Sequence, residues 1–193
     1  MSSNSNSNSN NNNTTKKKSK KTKWKSNKGS QNTKDTFKGD CEDLKGKTYF
    51  IGSSKQTDNY NTTTEAILDY FLREYTHGLD LVQSLKKKAK KDLDNEIPVM
   101  PEVADTATDA KKQAVKDVYH EKMKNHVKRE ALLETNLIKA YGIIWGQCTK
   151  GLRAKLEARK NWNEGPEDDQ IEYNAINLLN AIKEITHDFQ DNK

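Results

Sequence analysis

The sequence predicts an all-α domain of about four to six helices behind a disordered, basic N-terminal tail. Three observations predict it. Apolar residues recur at steps of three or four through most of the chain beyond residue 63. The first 36 positions hold only Met1 and Trp24 as hydrophobic residues, whereas the remaining 157 are about 38% hydrophobic, adequate for a modest core. Charge divides at the same place. Residues 1–36 carry nine lysines and one acid, Asp35, so about +8; the whole chain is +6, leaving about −2 for residues 37–193. The high isoelectric point therefore belongs to the tail.

Residues 2–15 are almost pure Ser, Asn and Thr. They offer nothing that could offset the entropy of ordering them. The run KKKSKKTKWKSNK follows at 16–28, with Lys16, Lys17, Lys18, Lys20, Lys21, Lys23, Lys25 and Lys28 around Trp24. Lysines at this density attract polyanions, and RNA or DNA phosphates would displace counterions there. Trp24 could stack on an unpaired base. The same run also fits a nuclear-localisation signal or a merely solubilising tail.

The body, 37–193, opens with FKGDCEDLKGKTYFIG. Three glycines punctuate it, and Tyr49, Phe50 and Ile51 favour extended backbone. An extended arm over 37–60 is expected, with one short strand or packed on helices. Thr62 and Glu65 fit a capping box, so the first helix is expected from about 63. Ile67, Leu68, Phe71, Leu72 and Tyr75 form its apolar face, and Gly78 suits its C-terminal cap. A short second helix has Asp80 near its start and Leu81, Val82 and Leu85 facing inward. Lysines 86–88, 90 and 91 lie in its last turns, where they complement the helix dipole. Pro98 and Pro101 mark a linker over 96–108. Helical periodicity then runs from Asp109 for nearly 50 residues. Gly142 and Gly146 are the expected break or kink, with two helices or one bent helix meeting near Gly142. After Asn163-Glu164-Gly165-Pro166, Pro166 should open the final helix. Its stripe comprises Ile171, Ala175, Ile176, Leu178, Leu179, Ile182, Ile185 and Phe189.

The stretch AYGIIWGQCTKGLRAKLEARKNW, residues 140–162, poses a chemical question, because Gly-Gln-Cys also occurs near the nucleophile of some cysteine peptidases. Cys148 shares a helical face with Trp145 and Leu152, as a buried thiol would. None of His77, His120, His126 and His187 sits in a recognisable base motif. His120 and His126 are six apart, not the four that a metal-binding His-Glu-x-x-His helix requires. Closely spaced Cys and His for a zinc knuckle are missing, as is a phosphate-binding glycine loop. The expectation is a non-enzyme with no cofactor, no metal and no small-molecule substrate. Two distant cysteines, Cys41 and Cys148, do not make a disulfide framework. Without an apolar leader or a run approaching a membrane span, a cytoplasmic or nuclear location and no membrane contact are expected.

From Phe37 to about Gln190 the chain resembles the Gag-like proteins of copia-type LTR retrotransposons. The segment LIKAYGIIWGQCTKGLRAKLEA carries most of this, being similar to that family's pattern of Tyr, Ile/Val-Trp-Gly-Gln-Cys-Thr and Leu-Arg-x-Lys-Leu-Glu. FKG at 37–39, LKG at 44–46, TTEAILDYFLREYTHGLDL and LLNAIKEITHDFQ are further similar pieces. The resemblance implies a capsid-like helical domain. Trp145, Cys148 and Leu152 would be core positions, with Gly142 and Gly146 allowing a bend or close packing. It also implies a structural protein that binds RNA and self-associates into particles. Family members usually continue past the DFQ region, often to a zinc knuckle. This chain stops at Lys193, so the expectation is a chain lacking that second half. The alternative is a nuclear or nucleolar helical adaptor. Its lysine run would be an address, and an apolar face such as that of 171–189 would bind a partner helix.

Overall fold

The computed structural model describes residues 37–187. The lysine run with Trp24 and the closing residue Phe189 lie outside that span. Among the described residues there are five α-helices and no strand: α1 Gln56–Glu74, α2 Gly78–Lys87, α3 Asp109–Gly146, α4 Lys150–Glu157 and α5 Ala175–His187. The domain is all-α, with a helix count inside the expected range. No described helix is long and apolar enough to cross a membrane.

α5 is the central element and packs against all four others. Its stripe explains why: Ala175, Leu178, Leu179 and Ile182 are all buried, and Ile171 just ahead of it is buried too. Pro166 does not open this helix. It precedes a single 3-10 turn over Glu167–Asp169, and α5 starts only at Ala175. The side chain of Asn174 decides the start, its Oδ1 accepting the N–H groups of Ile176 (3.1 Å) and Asn177 (3.0 Å).

α1 begins six residues before Thr62, so the expected extended arm ends earlier, near residue 55, and the capping box does not form. Thr62 is inside the helix and donates its hydroxyl back to the carbonyl of Asp58 at 2.9 Å. The earlier start follows from Gln56, Tyr60 and Thr63, which continue the buried stripe of Ile67 and Phe71 toward the N-terminus. Gln56 also ties helix ends together: its Nε2 donates to the carbonyl of Thr186 in α5 at 3.0 Å. Leu72, expected inside, is 44% exposed.

Gly78 does not cap α1; it opens α2, and His77 takes the left-handed conformation (φ 56°). The glycine is needed for proximity. A Cβ there would stand 2.2 Å from the carbonyl oxygen of Phe71. Leu81, Val82 and Leu85 are buried as expected. The helix stops at Lys87, so Lys90 and Lys91 lie beyond it.

The linker is irregular apart from one 3-10 turn at Asp94–Glu96. Thr108 caps α3, its hydroxyl accepting the N–H of Lys111 at 3.4 Å. α3 is one continuous helix of 38 residues, without a break at Gly142. A Cβ on Gly142 would meet nothing within 4 Å, so this glycine only lowers local helix propensity. The helix stops instead at Gly146, where Gln147 leaves the helical path. Its first buried side chain is His126, and the preceding turns are largely solvated.

Candidate functional site

The motif at 145–149 forms a joint between the α3–α4 corner and the arm. Gln147 is its centre and is fully buried. Its Nε2 donates to the carbonyls of Leu44 (2.8 Å) and Lys47 (2.9 Å), and its Oε1 accepts the N–H of Cys41 at 3.4 Å. Three polar backbone groups of the arm are thus satisfied by one amide side chain. Backbone bonds frame it. Asp40 N–H donates to Gly146 (3.1 Å), Tyr49 N–H to Gln147 (2.8 Å), and Thr149 N–H to Tyr49 (3.0 Å). Tyr49 and Cys148 consequently form an isolated parallel bridge, which is the one strand-like feature of the Tyr49-Phe50-Ile51 stretch.

Both glycines that flank this contact are explained by distance. Gly39 has φ +89°, and a Cβ on it would fall 2.0 Å from Gln147 Oε1. A Cβ on Gly146 would sit 3.3 Å from that of Asp40. The sequence places Gly39 in the FKG piece and Gln147 in the Gly-Gln-Cys motif but does not pair them. Their partners are distant in the chain, and neither residue type marks a buried clasp by itself.

Cys148 lies just past the end of α3 and not on it, which corrects the shared helical face with Trp145. It is fully buried, as is Leu152. The thiol donates to the carbonyl of Ile144 at 3.3 Å, and burial pushes it up to about 12. At neutral pH such a thiol stays protonated, the opposite of an activated nucleophile. His77 and His120 are exposed, and His187 stacks edge-on against Tyr60. Among the described residues no group of three or more His, Cys, Asp or Glu is placed to hold a metal ion.

Trp145 is only partly buried and belongs to an aromatic layer beside the joint. The Tyr141 ring lies parallel to it (6°, centroids 6.3 Å apart), and Trp162 packs at 5.1 Å. The guanidinium of Arg153 stands 5.2 Å from the Trp145 ring and 5.8 Å from that of Phe37, and reaches the Asp40 carboxylate at 3.1 Å. Arg153 thereby binds the start of the arm to α4 by charge and by cation–π contact.

A second polar centre joins α2, α3 and the linker. Asp80, buried, receives two bonds from Arg129 (2.6 and 2.7 Å) and one from Lys91 (2.7 Å). Glu96 pairs with both cations as well, with Arg129 at 2.6 Å and with Lys91 at 2.9 Å. Hydrogen bonding from Arg129, and then from Lys91, outweighs burial and holds the Asp80 carboxyl down to about 2. The geometry is that of a fully satisfied structural network.

Among known proteins, no family model, no curated protein and no solved structure matches this chain.

Proposed function

We propose that the chain is a Gag-like, non-enzymatic structural protein that binds RNA through the lysine run at 16–28 and self-associates. One observation carries the reading: the segment with the strongest resemblance, centred on Trp145–Thr149, is built as a load path between arm and helices. The two buried polar side chains of the motif, Gln147 and Cys148, both hold backbone. Gln147 is spent on Leu44, Lys47 and Cys41, and the Cys148 thiol on Ile144. A structural motif of this kind fits a particle-forming protein better than an acyl-transfer site. RNA binding is assigned to the eight lysines and Trp24 of residues 16–28, a run free of acids. The body is slightly negative overall, and in its densest lysine run, KKKAKK at 86–91, Lys90 pairs with Glu134 and Lys91 with Asp80 and Glu96.

The adaptor alternative keeps less of the helix face on which it relied, because Ala175, Leu178, Leu179 and Ile182 are buried in the core while Ile176 and Ile185 are partly buried. Particle mass by light scattering, with and without added RNA, tests the proposal. Discrete RNA-dependent particles are expected. A species near 22 kDa under all conditions, with no RNA retained, would overturn it.

A further inference from the structure

A groove of about 580 Å³ lies between the last third of α3 and the loop that leads into α5. Its apolar lining includes Leu137, Ile138, Tyr173 and Ile176. Two of these are unusually open for large apolar side chains, Ile138 at 66% and Tyr173 at 71% exposure. Acids surround them. Glu134, Glu167, Asp168 and Glu172 line the same groove, and the stretch 164–172 holds five acids and no base. Among the described residues Lys90 is the groove's one lining cation, and it is already paired with Glu134 at 2.7 Å.

We infer that this groove receives the lysine-rich segment 16–28 of a second copy of the chain. Charge complementarity selects the occupant: eight lysines without an acid, set against carboxylates with few counter-cations. The segment also carries one large aromatic residue, Trp24, suited to the exposed surface of Ile138 and Tyr173. Single exposed ion pairs contribute little, so affinity comes from their number and from the aromatic anchor. The two surfaces differ, so the contact is heterologous and can propagate from copy to copy. The segment's eight lysines outnumber the groove's four acids, so RNA phosphates can bind the lysines that the groove leaves free. The inference rests on the self-association part of the proposed function and specifies its geometry.

The test uses nuclease-treated full-length chains in sedimentation equilibrium at about 50 mM salt, where screening is weak. One variant reverses the groove (Glu167→Lys with Asp168→Lys). The other reverses the segment (Lys16, Lys17, Lys18, Lys20 and Lys21, each →Glu). Circular dichroism checks that both keep their helices. The wild type is expected to associate, each variant alone to weaken at least about tenfold, and their equimolar mixture to recover. Ile138→Ser, which leaves the charge unchanged, should weaken association as well. Wild-type association that is unchanged by groove reversal overturns the groove assignment and leaves self-association standing. A mixture that fails to recover overturns the pairing between copies. A wild type that stays monomeric overturns both readings.

Discussion

Gly39 and Gln147 are fitted to each other: a methyl group on the glycine would fall 2.0 Å from the glutamine's Oε1. The fit makes the arm's attachment depend on one buried amide. Gln147→Ala should cost about 2–4 kcal/mol, because it removes three bonds and leaves buried backbone groups of the arm unpaired. Urea unfolding would measure the loss, and limited proteolysis should show new cleavage between residues 37 and 55. Gly39→Ala should give the same proteolytic pattern. Unchanged stability in both variants would mean that the arm is not held here.

Gly142 and Gly146 stand four apart in one helix and should respond with opposite signs. Gly142→Ala meets empty space in a helix interior and should stabilise by about 0.5–1 kcal/mol. Gly146→Ala pushes on Asp40, whose N–H is bound to Gly146 and whose carboxylate is bound to Arg153, and should destabilise. Melting temperatures of the two variants decide it; equal shifts would contradict the geometry.

Cys148 should be inert in the folded chain. With its thiol pushed up to about 12, only about one molecule in ten thousand carries the thiolate at pH 8. Alkylation with a mass readout should therefore modify one cysteine in native conditions and two in denaturant. Cys148→Ala should cost about 1 kcal/mol and alter nothing else. Two thiols reacting equally fast in the native protein would contradict the burial.

Much of the fold was legible because its signals are local. The inward face Leu81, Val82, Leu85 and the stripe of α5 follow from spacing alone. The linker over 96–108 follows from its prolines. The joint was not legible, because Gln147 finds Leu44 and Lys47 about a hundred residues away, and a glutamine carries no pattern that announces such partners. Gly142 and Gly146 look alike in sequence as glycines in a helix, yet nothing approaches Gly142 closely, whereas Gly146 is the position where the arm arrives. The start of α1 is not legible, because polar Gln56 and Thr63 occupy buried positions that an apolar-only pattern passes over.

Asp80 makes stability depend on acid pH in a defined window. Its folded value, about 2, lies below the ordinary carboxyl value near 4. A lowered folded value stabilises above the unfolded value and is lost as pH falls toward the folded one. The contribution, on the order of 2 kcal/mol, is therefore complete above about pH 4 and disappears between about pH 4 and pH 2. Asp80→Asn should be less stable than the wild type at pH 7 by about 2–4 kcal/mol, since Arg129 and Lys91 lose their buried partner. The gap between the two proteins, measured by urea midpoints, should narrow across that window. A gap that stays constant down to pH 2 would show that Asp80 is not the group responsible.

RNA binding should be electrostatic in its salt dependence and aromatic in its residual affinity. If all eight lysines of 16–28 meet phosphates, the log–log slope of affinity against salt for single-stranded RNA approaches about −5 to −6. Replacing four of them, Lys16, Lys17, Lys18 and Lys20, with Gln should roughly halve that slope. Trp24→Ala should instead weaken binding by about 1–3 kcal/mol at every salt concentration and leave the slope as it was, because stacking releases no counterions. Fluorescence anisotropy with a labelled oligonucleotide separates the two effects. A slope unmoved by the lysine changes would transfer RNA binding to the helical body, where Lys86, Lys87 and Lys88, exposed together at the end of α2, would be the next cations to replace.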